Sequence, residues 1–260
     1  MAITLRSLRE IELMRKAGAV VADVLLKLKE IAKPGVTTAY LDDVASQMVA
    51  DAGAIALFRG VRSPMARQPF PGVICASVNE QLVHGIPSDK MKLSNGDILS
   101  IDFGVKLDGY CADAAITVAI GEISAEKQRL MDLTKSVLDI AIERAAPFIK
   151  WSQIASEMQQ KAESAGFSVV KDYVGHGIGR EMHEEPKVPN FVSRELLDND
   201  IVLAEGMVLA VEPMINMGSS AVRTLRNGWT VVTKDKKCSA HFEHTIAIVG
   251  NGCEVLTEKK

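Results

Sequence analysis

Cysteine is sparse and scattered. The 260 residues hold four, Cys75, Cys111, Cys238 and Cys253, with no Cys-x-x-Cys pair among them. That argues against a disulfide framework and against a closed structural zinc site, and it fits reduced thiols in a cytoplasmic protein. An excess of positive charge is also missing. Thirty Lys and Arg face thirty-three Asp and Glu, for a net charge of −3, so bulk electrostatics give no nucleic-acid footprint. The amino-terminal stretch MAITLRSLREIELMRK is charged throughout and lacks the apolar core of a secretion signal. No apolar run approaches the ~18 residues of a membrane span. Neither nucleic acid nor membrane is therefore expected as a partner. Three common site templates are absent too. No phosphate loop ending in Gly-Lys-Ser/Thr occurs. His183-Glu184 is followed by Glu185 and Pro186, so no zinc-protease helix forms there. Gly175, Gly177 and Gly179 have the wrong spacing for a dinucleotide loop.

What is present is a chain 47% hydrophobic, enough for one large domain or two small ones. It is also internally repetitive. Ser7-Leu-Arg-Glu10 forms a capping box, followed by Ile11, Met14, Val21, Leu25 and Leu28 at helical spacing up to Pro34-Gly35. Thr37 or Thr38 caps a second helix with Leu41, Ala45 and Met48 on its apolar side, ending near Gly53. The plan returns. Ser124 caps a helix carrying Leu130, Leu133, Val137 and Ile140 that ends near Pro147. Ser152 is expected to cap another, with Ile154 and Met158 inward, ending near Gly166. Pro34 to Gly53 and Pro147 to Gly166 are each 19 residues apart. His84-Gly-Ile recurs as His176-Gly-Ile, and GDILSID (96–102) as GMVLAVE (206–212). Asp113-Ala-Ala-Ile-Thr-Val recurs as Glu243-His-Thr-Ile-Ala-Ile. The order of these matches predicts a single catalytic domain over 1–260, an α+β fold with pseudo-symmetric halves of about 7–121 and 124–250. Each half would lay a helix pair on a curved, mostly antiparallel sheet.

In each half one carboxylate is expected to close a β-run and another to open the next. Duplication would then gather Asp102, Asp113, Glu212 and Glu243, with His176 beside them. Three of the acids lie in apolar sequence (LSIDFGV, LAVEPMI, HFEHTIAI). Burying such groups as bare ions is costly, and four facing one another repel strongly. A pair of divalent cations removes the conflict, and a set of carboxylates plus one imidazole suits Mn²⁺, Fe²⁺, Co²⁺ or catalytic Zn²⁺. Such a centre makes a bound water nucleophilic and serves hydrolysis. His183 would stand near the metals or face the substrate. His244 is turned to the opposite face by strand alternation.

The motifs SVNEQLVHGIP (77–87), GDILSIDFGVKLDGYCAD (96–113), GHGIGREMHEEP (175–186), EGMVLAVEPM (205–214) and WTVVTKD…SAHFEHT (229–245) together resemble the type I methionine aminopeptidases, metallopeptidases of the M24 type with the pita-bread fold. The resemblance runs from about Leu8 to Leu256. It implies two divalent ions, cobalt, manganese, iron or zinc, held by Asp102, Asp113, His176, Glu212 and Glu243, with Asp113 and Glu243 bridging. It implies that Glu212 is also the general base, and that His84 and His183 contact the substrate amide and its developing oxyanion. Phe70, Cys75, Met182 and Trp229 would line the side-chain pocket. The implied reaction is removal of the initiator methionine from nascent chains when the next residue is small, by a monomer that meets its substrate at the ribosome. A proline-specific dipeptidase and a non-catalytic binding protein are the alternatives on the same fold. Three places depart from the family pattern: Met65-Ala-Arg-Gln-Pro69 where aromatics and a glycine are usual, Cys111-Ala112 for a histidine or aromatic and a glycine, and His241 for a glutamine.

Overall fold

The computed structural model describes residues 3–259. The first half runs α1 (Leu8–Ile31), α2 (Thr38–Asp51), β1 (Ile55–Ala56), β2 (Cys75–Val78), β3 (Gln81–Val83), β4 (Ile98–Leu107) and β5 (Tyr110–Ala119). The second begins with α3 (Ala125–Arg144), α4 (Trp151–Ser164), β6 (Ser168–Val169), β7 (Gly175–Gly177), β8 (Glu184–Val188) and α5 (Arg194–Asp198). It ends with β9 (Val208–Val211), β10 (Met214–Asn216), β11 (Val222–Thr224), β12 (Val231–Thr233), β13 (Ser239–His241), β14 (Glu243–Val249) and β15 (Gly252–Val255).

The caps explain most helix starts. Ser7 accepts from the Glu10 backbone N–H, and the Glu10 carboxylate accepts from the Ser7 N–H at 2.9 Å. The Ser7 N–H and the Ser7 hydroxyl, with the Tyr110 hydroxyl, all donate to the Glu10 carboxylate and pull it down to about 2. Thr37 caps α2 and Ser124 caps α3. At α4 the expectation fails. The cap is Lys150, which makes no side-chain cap bond, and Ser152 lies inside the first turn. Its hydroxyl donates instead to the Asp200 carboxylate at 2.6 Å. The Asp200 acceptor also takes the Ser152 backbone N–H, so one carboxylate from a distant loop does the work of a local cap.

Two apolar layers sit side by side. Val21, Leu25, Leu28 and Leu41 of the first helix pair pack on Leu99, Ile101 and Phe103 of β4. Leu130, Val137, Trp151, Ile154 and Met158 of the second pair pack on Leu209, Ile246 and Ile248. Beneath them runs one antiparallel sheet in the order β1-β4-β5-β14-β9-β7-β8, with β2 also on β4 and β15 also on β14. This is the expected α+β architecture, and the strands of the amino-terminal part meet those of the carboxy-terminal part where β5 pairs with β14. Only two register pairs are made there, Glu243 with Ala115 and His244 with Ala114. Among the described residues no helix is long and apolar enough to cross a membrane.

Candidate metal centre

Five neighbouring strands each supply one candidate ligand. Asp102 is on β4, Asp113 on β5, Glu243 at the start of β14, Glu212 one residue past β9, and His176 on β7. Residues directly paired across an antiparallel sheet share a face, as do residues two apart on one strand. Asp102 pairs with Ala115 and Asp113 with Gly104, which places both acids on one face. Glu243 also pairs with Ala115, and His176 pairs with Ala210, two residues before Glu212. All five side chains therefore point to the same side of the sheet. Their opposite numbers are alanines and a glycine, which leave that side open. Gly104 is needed for this: a Cβ there would sit 3.0 Å from Asp113 Oδ1.

The first-half acids are not where the β-runs were expected to start and stop. Asp102 and Asp113 lie in the middle of ten-residue strands, because the chain continues through small or apolar residues on both sides. In the second half the expected placement holds, with Glu212 just after one strand and Glu243 opening another.

One cavity of about 250 Å³ takes in all five of these side chains together with His84, His183, Phe58, Val61, Phe70, Cys75, Met182 and Trp229. Every sequence-predicted site residue lines it. Phe58 and Val61 were not anticipated; they sit in an irregular segment with no periodicity to mark them. Phe70 and Trp229 meet edge to face at 5.3 Å, and the Trp229 indole N–H donates to the Gln68 carbonyl at 3.0 Å. His84 follows β3 with a left-handed φ of 57° and stacks edge-on against Tyr173. His183 stands exposed at the rim, its ring 4.4 Å from that of His176. His244 points away, with Nδ1 2.9 Å from the Thr257 hydroxyl.

Donor atoms of Asp113, His176 and Glu243 all lie within 4.8 Å of one another. The surrounding electrostatics ask for a cation. Burial, then neighbouring carboxylates, push Asp102, Glu212 and Glu243 well above the usual carboxylate range. Burial brings Asp113 up to about 7. Asp102 Oδ1 and Asp113 Oδ1 are buried without a hydrogen-bond partner. Oxygens in that condition are costly unless an ion or a proton meets them. The histidine is prepared as well. His176 Nδ1 is 2.9 Å from the Gly177 carbonyl, which can only accept, so the proton sits on Nδ1 and Nε2 is left as a ligand atom. Burial lowers His176 to about 4, so its 3.6 Å approach to Glu212 Oε1 is that of a neutral imidazole rather than an ion pair. His241 is 1% exposed, pushed down to about 3 by burial, with both ring nitrogens unpartnered and Nε2 3.8 Å from Glu212 Oε2. The residues present fit a divalent metal.

Comparison with known proteins agrees. The profile of metallopeptidase family M24 matches residues 12–249. A methionine aminopeptidase of Clostridium perfringens is 47% identical over 98% of both chains. Methionine aminopeptidase 1 of Bacillus subtilis is 45% identical over 96% of both. The crystal structure of a methionine aminopeptidase from Thermotoga maritima superposes with a TM-score of 0.93 at 37% identity, covering 99% of this chain and all of that one. A prolidase from Pyrococcus furiosus shares the fold at a TM-score of 0.73 and 21% identity, over 66% of its own length.

Proposed function

The chain belongs to metallopeptidase family M24 and to its methionine aminopeptidases, and from that premise we propose that it removes the initiator methionine from nascent proteins whose second residue is small. The observation that carries the reading is the set of five ligand-type side chains on one sheet face, lying at an apolar recess. Two divalent ions, cobalt, manganese, iron or zinc, would be held by Asp102, Asp113, His176, Glu212 and Glu243. Ions bound there supply Lewis acidity and a water that is nucleophilic at neutral pH.

The chain's own residues do the rest. Phe70, Cys75, Met182 and Trp229 receive the methionine side chain, whose flexible, polarizable thioether suits sulfur and aromatic walls. His84 is held neutral, lowered to about 4 by burial, and His183 is lowered for the same reason. Each can donate a ring N–H to the scissile amide, and His183 donates to the oxygen on which negative charge grows. Glu212, at the cavity wall, takes a proton and returns it to the leaving amine. We take the whole chain as one catalytic domain, acting as a cytoplasmic monomer on chains emerging from the ribosome.

The test is cleavage of Met-Ala-Ser by wild type and Glu212→Gln, each stripped of metal and reconstituted with Mn²⁺. Release of methionine is expected from the reconstituted wild type, with a loss of at least about a hundredfold in the variant. Equal release by both removes Glu212 from the reaction. Preference for a Met-Pro dipeptide would favour the dipeptidase.

A further inference from the structure

Arg6 is a cation that the site chemistry does not use, yet its side chain is only 5% exposed. The segment before α1 is strapped to the second half of the molecule. The Arg6 backbone N–H donates to the Gly206 carbonyl at 2.6 Å. From there the guanidinium passes under the loop that links β7 to β8. It packs so closely on Gly179 that a Cβ at that position would collide with it. It ends in an ion pair with the Glu184 carboxylate. The other oxygen of that carboxylate, Glu184 Oε1, accepts the backbone N–H groups of Arg180 at 2.9 Å and Glu181 at 3.2 Å. Glu184 also closes the loop in register, opposite Gly177. The loop is thus folded around one carboxylate, and one buried guanidinium meets that carboxylate from beneath. The residue immediately before it is His183.

Resting on the functional reading above, we propose that Arg6 is a positioning residue for His183. By holding the Glu184 carboxylate, it fixes the 178–183 turn and so the place of the His183 imidazole at the cavity rim. The loop has other anchors: the Cys111 backbone N–H donates to the Gly179 carbonyl at 2.7 Å, Lys106 pairs with Glu181 at 3.2 Å, and Arg180 donates to the Tyr110 hydroxyl at 2.7 Å. None of them engages Glu184, the residue next to His183, whose carboxylate gathers the turn. The arrangement explains why a glycine stands at 179, and it links the amino-terminal segment to the substrate-facing side of the cavity.

The experiment is a double-mutant cycle on the Mn²⁺-loaded full chain. Arg6→Met, Arg6→Lys, Glu184→Gln, His183→Ala and Arg6→Met/His183→Ala are compared for kcat and KM on Met-Ala-Ser, for Mn²⁺ affinity by calorimetry, and for thermal midpoint. The His183 imidazole resonances are followed by NMR on the protein loaded with diamagnetic Zn²⁺, because Mn²⁺ would broaden them. Arg6→Met is expected to lower kcat by about ten- to a hundredfold, the scale of a small misplacement of a catalytic group. Mn²⁺ affinity should fall much less than kcat, since four of the five candidate ligands are on or next to other strands and His176 sits within β7, paired to β9. Arg6→Lys and Glu184→Gln should lose less, and both keep the side-chain volume if Arg6→Met does not fold. With His183 already removed, Arg6→Met should cost nothing further. The His183 resonances should shift in Arg6→Lys while those of His84 stay in place. An equal fractional loss with and without His183 overturns the proposal, as does an unmoved His183 resonance. If wild type releases no methionine, the functional reading falls while the resonances still decide the role of Arg6.

Discussion

At the scale of single residues, the candidate metal centre stands on a conflict that only a cation or protons relieve. Asp113 shows it most directly. It is 4% exposed, its Oδ1 has no partner, and burial raises it to about 7. Asp113→Asn keeps the shape and removes a charge that raises Asp102, Glu212 and Glu243. The metal-free variant is therefore expected to be as stable as wild type or more so at pH 8, while Mn²⁺ affinity falls at least about a hundredfold, beyond the loss typical of a residue that only supports a ligand. Paired thermal melts with and without Mn²⁺ check both halves of that statement; a metal-free variant that melts earlier would contradict it.

At the scale of elements, the seam between β5 and β14 decides whether Asp102 and Asp113 are brought together with Glu212 and Glu243. The ladder there is only two pairs long, and Thr245 extends it. Its hydroxyl accepts the Asp113 backbone N–H at 3.0 Å and donates to the Asp113 carbonyl at 2.8 Å, so one side chain stands in for a pair of strand bonds. Thr245 is completely buried, and water cannot replace those bonds. Thr245→Val keeps the volume and leaves two backbone groups unmet. It should cost about 1–3 kcal/mol in urea unfolding. Because the groups belong to Asp113, Mn²⁺ affinity should fall as well. A variant as stable as wild type would mean that water or a strand shift fills the seam.

At the scale of the whole molecule, stability and metal binding are linked through protons. The site carboxylates hold protons more tightly when folded than when unfolded. Their contribution to the metal-free protein is present at low pH and is lost as pH rises from the ordinary carboxylate range through about 7, the value for Asp113. The buried histidines act in the opposite sense. His84 and His176 are lowered to about 4 and His241 to about 3, so their contribution is full above the ordinary histidine value and is lost as pH falls towards those values. Metal ions bound at these acids would displace the carboxylate protons. The rise in melting temperature on adding Mn²⁺ should therefore grow between about pH 5.5 and pH 8. Scanning calorimetry across that range tests it, and a gain independent of pH would show that these acids are not the ligands.

Much of this was already written in the chain. Ser7, Thr37 and Ser124 cap helices because their partners are three residues away. Local side-chain chemistry is enough to start a helix whose apolar stripe then chooses its face. The repeated HGI and Gly-to-carboxylate runs suggest a duplication, and that reading singles out five ligand candidates scattered from position 102 to position 243. What no local pattern carries is the pairing of residues far apart in the chain. Asp102 and Asp113 lie mid-strand because the ladder between β4 and β5 runs past them. Asp200 takes over at α4 from 48 residues away, and Arg6 finds Glu184 across 178 residues. Phe58 and Val61 reach the cavity from a segment with no period. Periodicity and capping act over a few residues and can be read in order. Burial of a carboxylate, the approach of a guanidinium and the shape of a recess depend on which distant backbones become neighbours, and only the folded chain decides that.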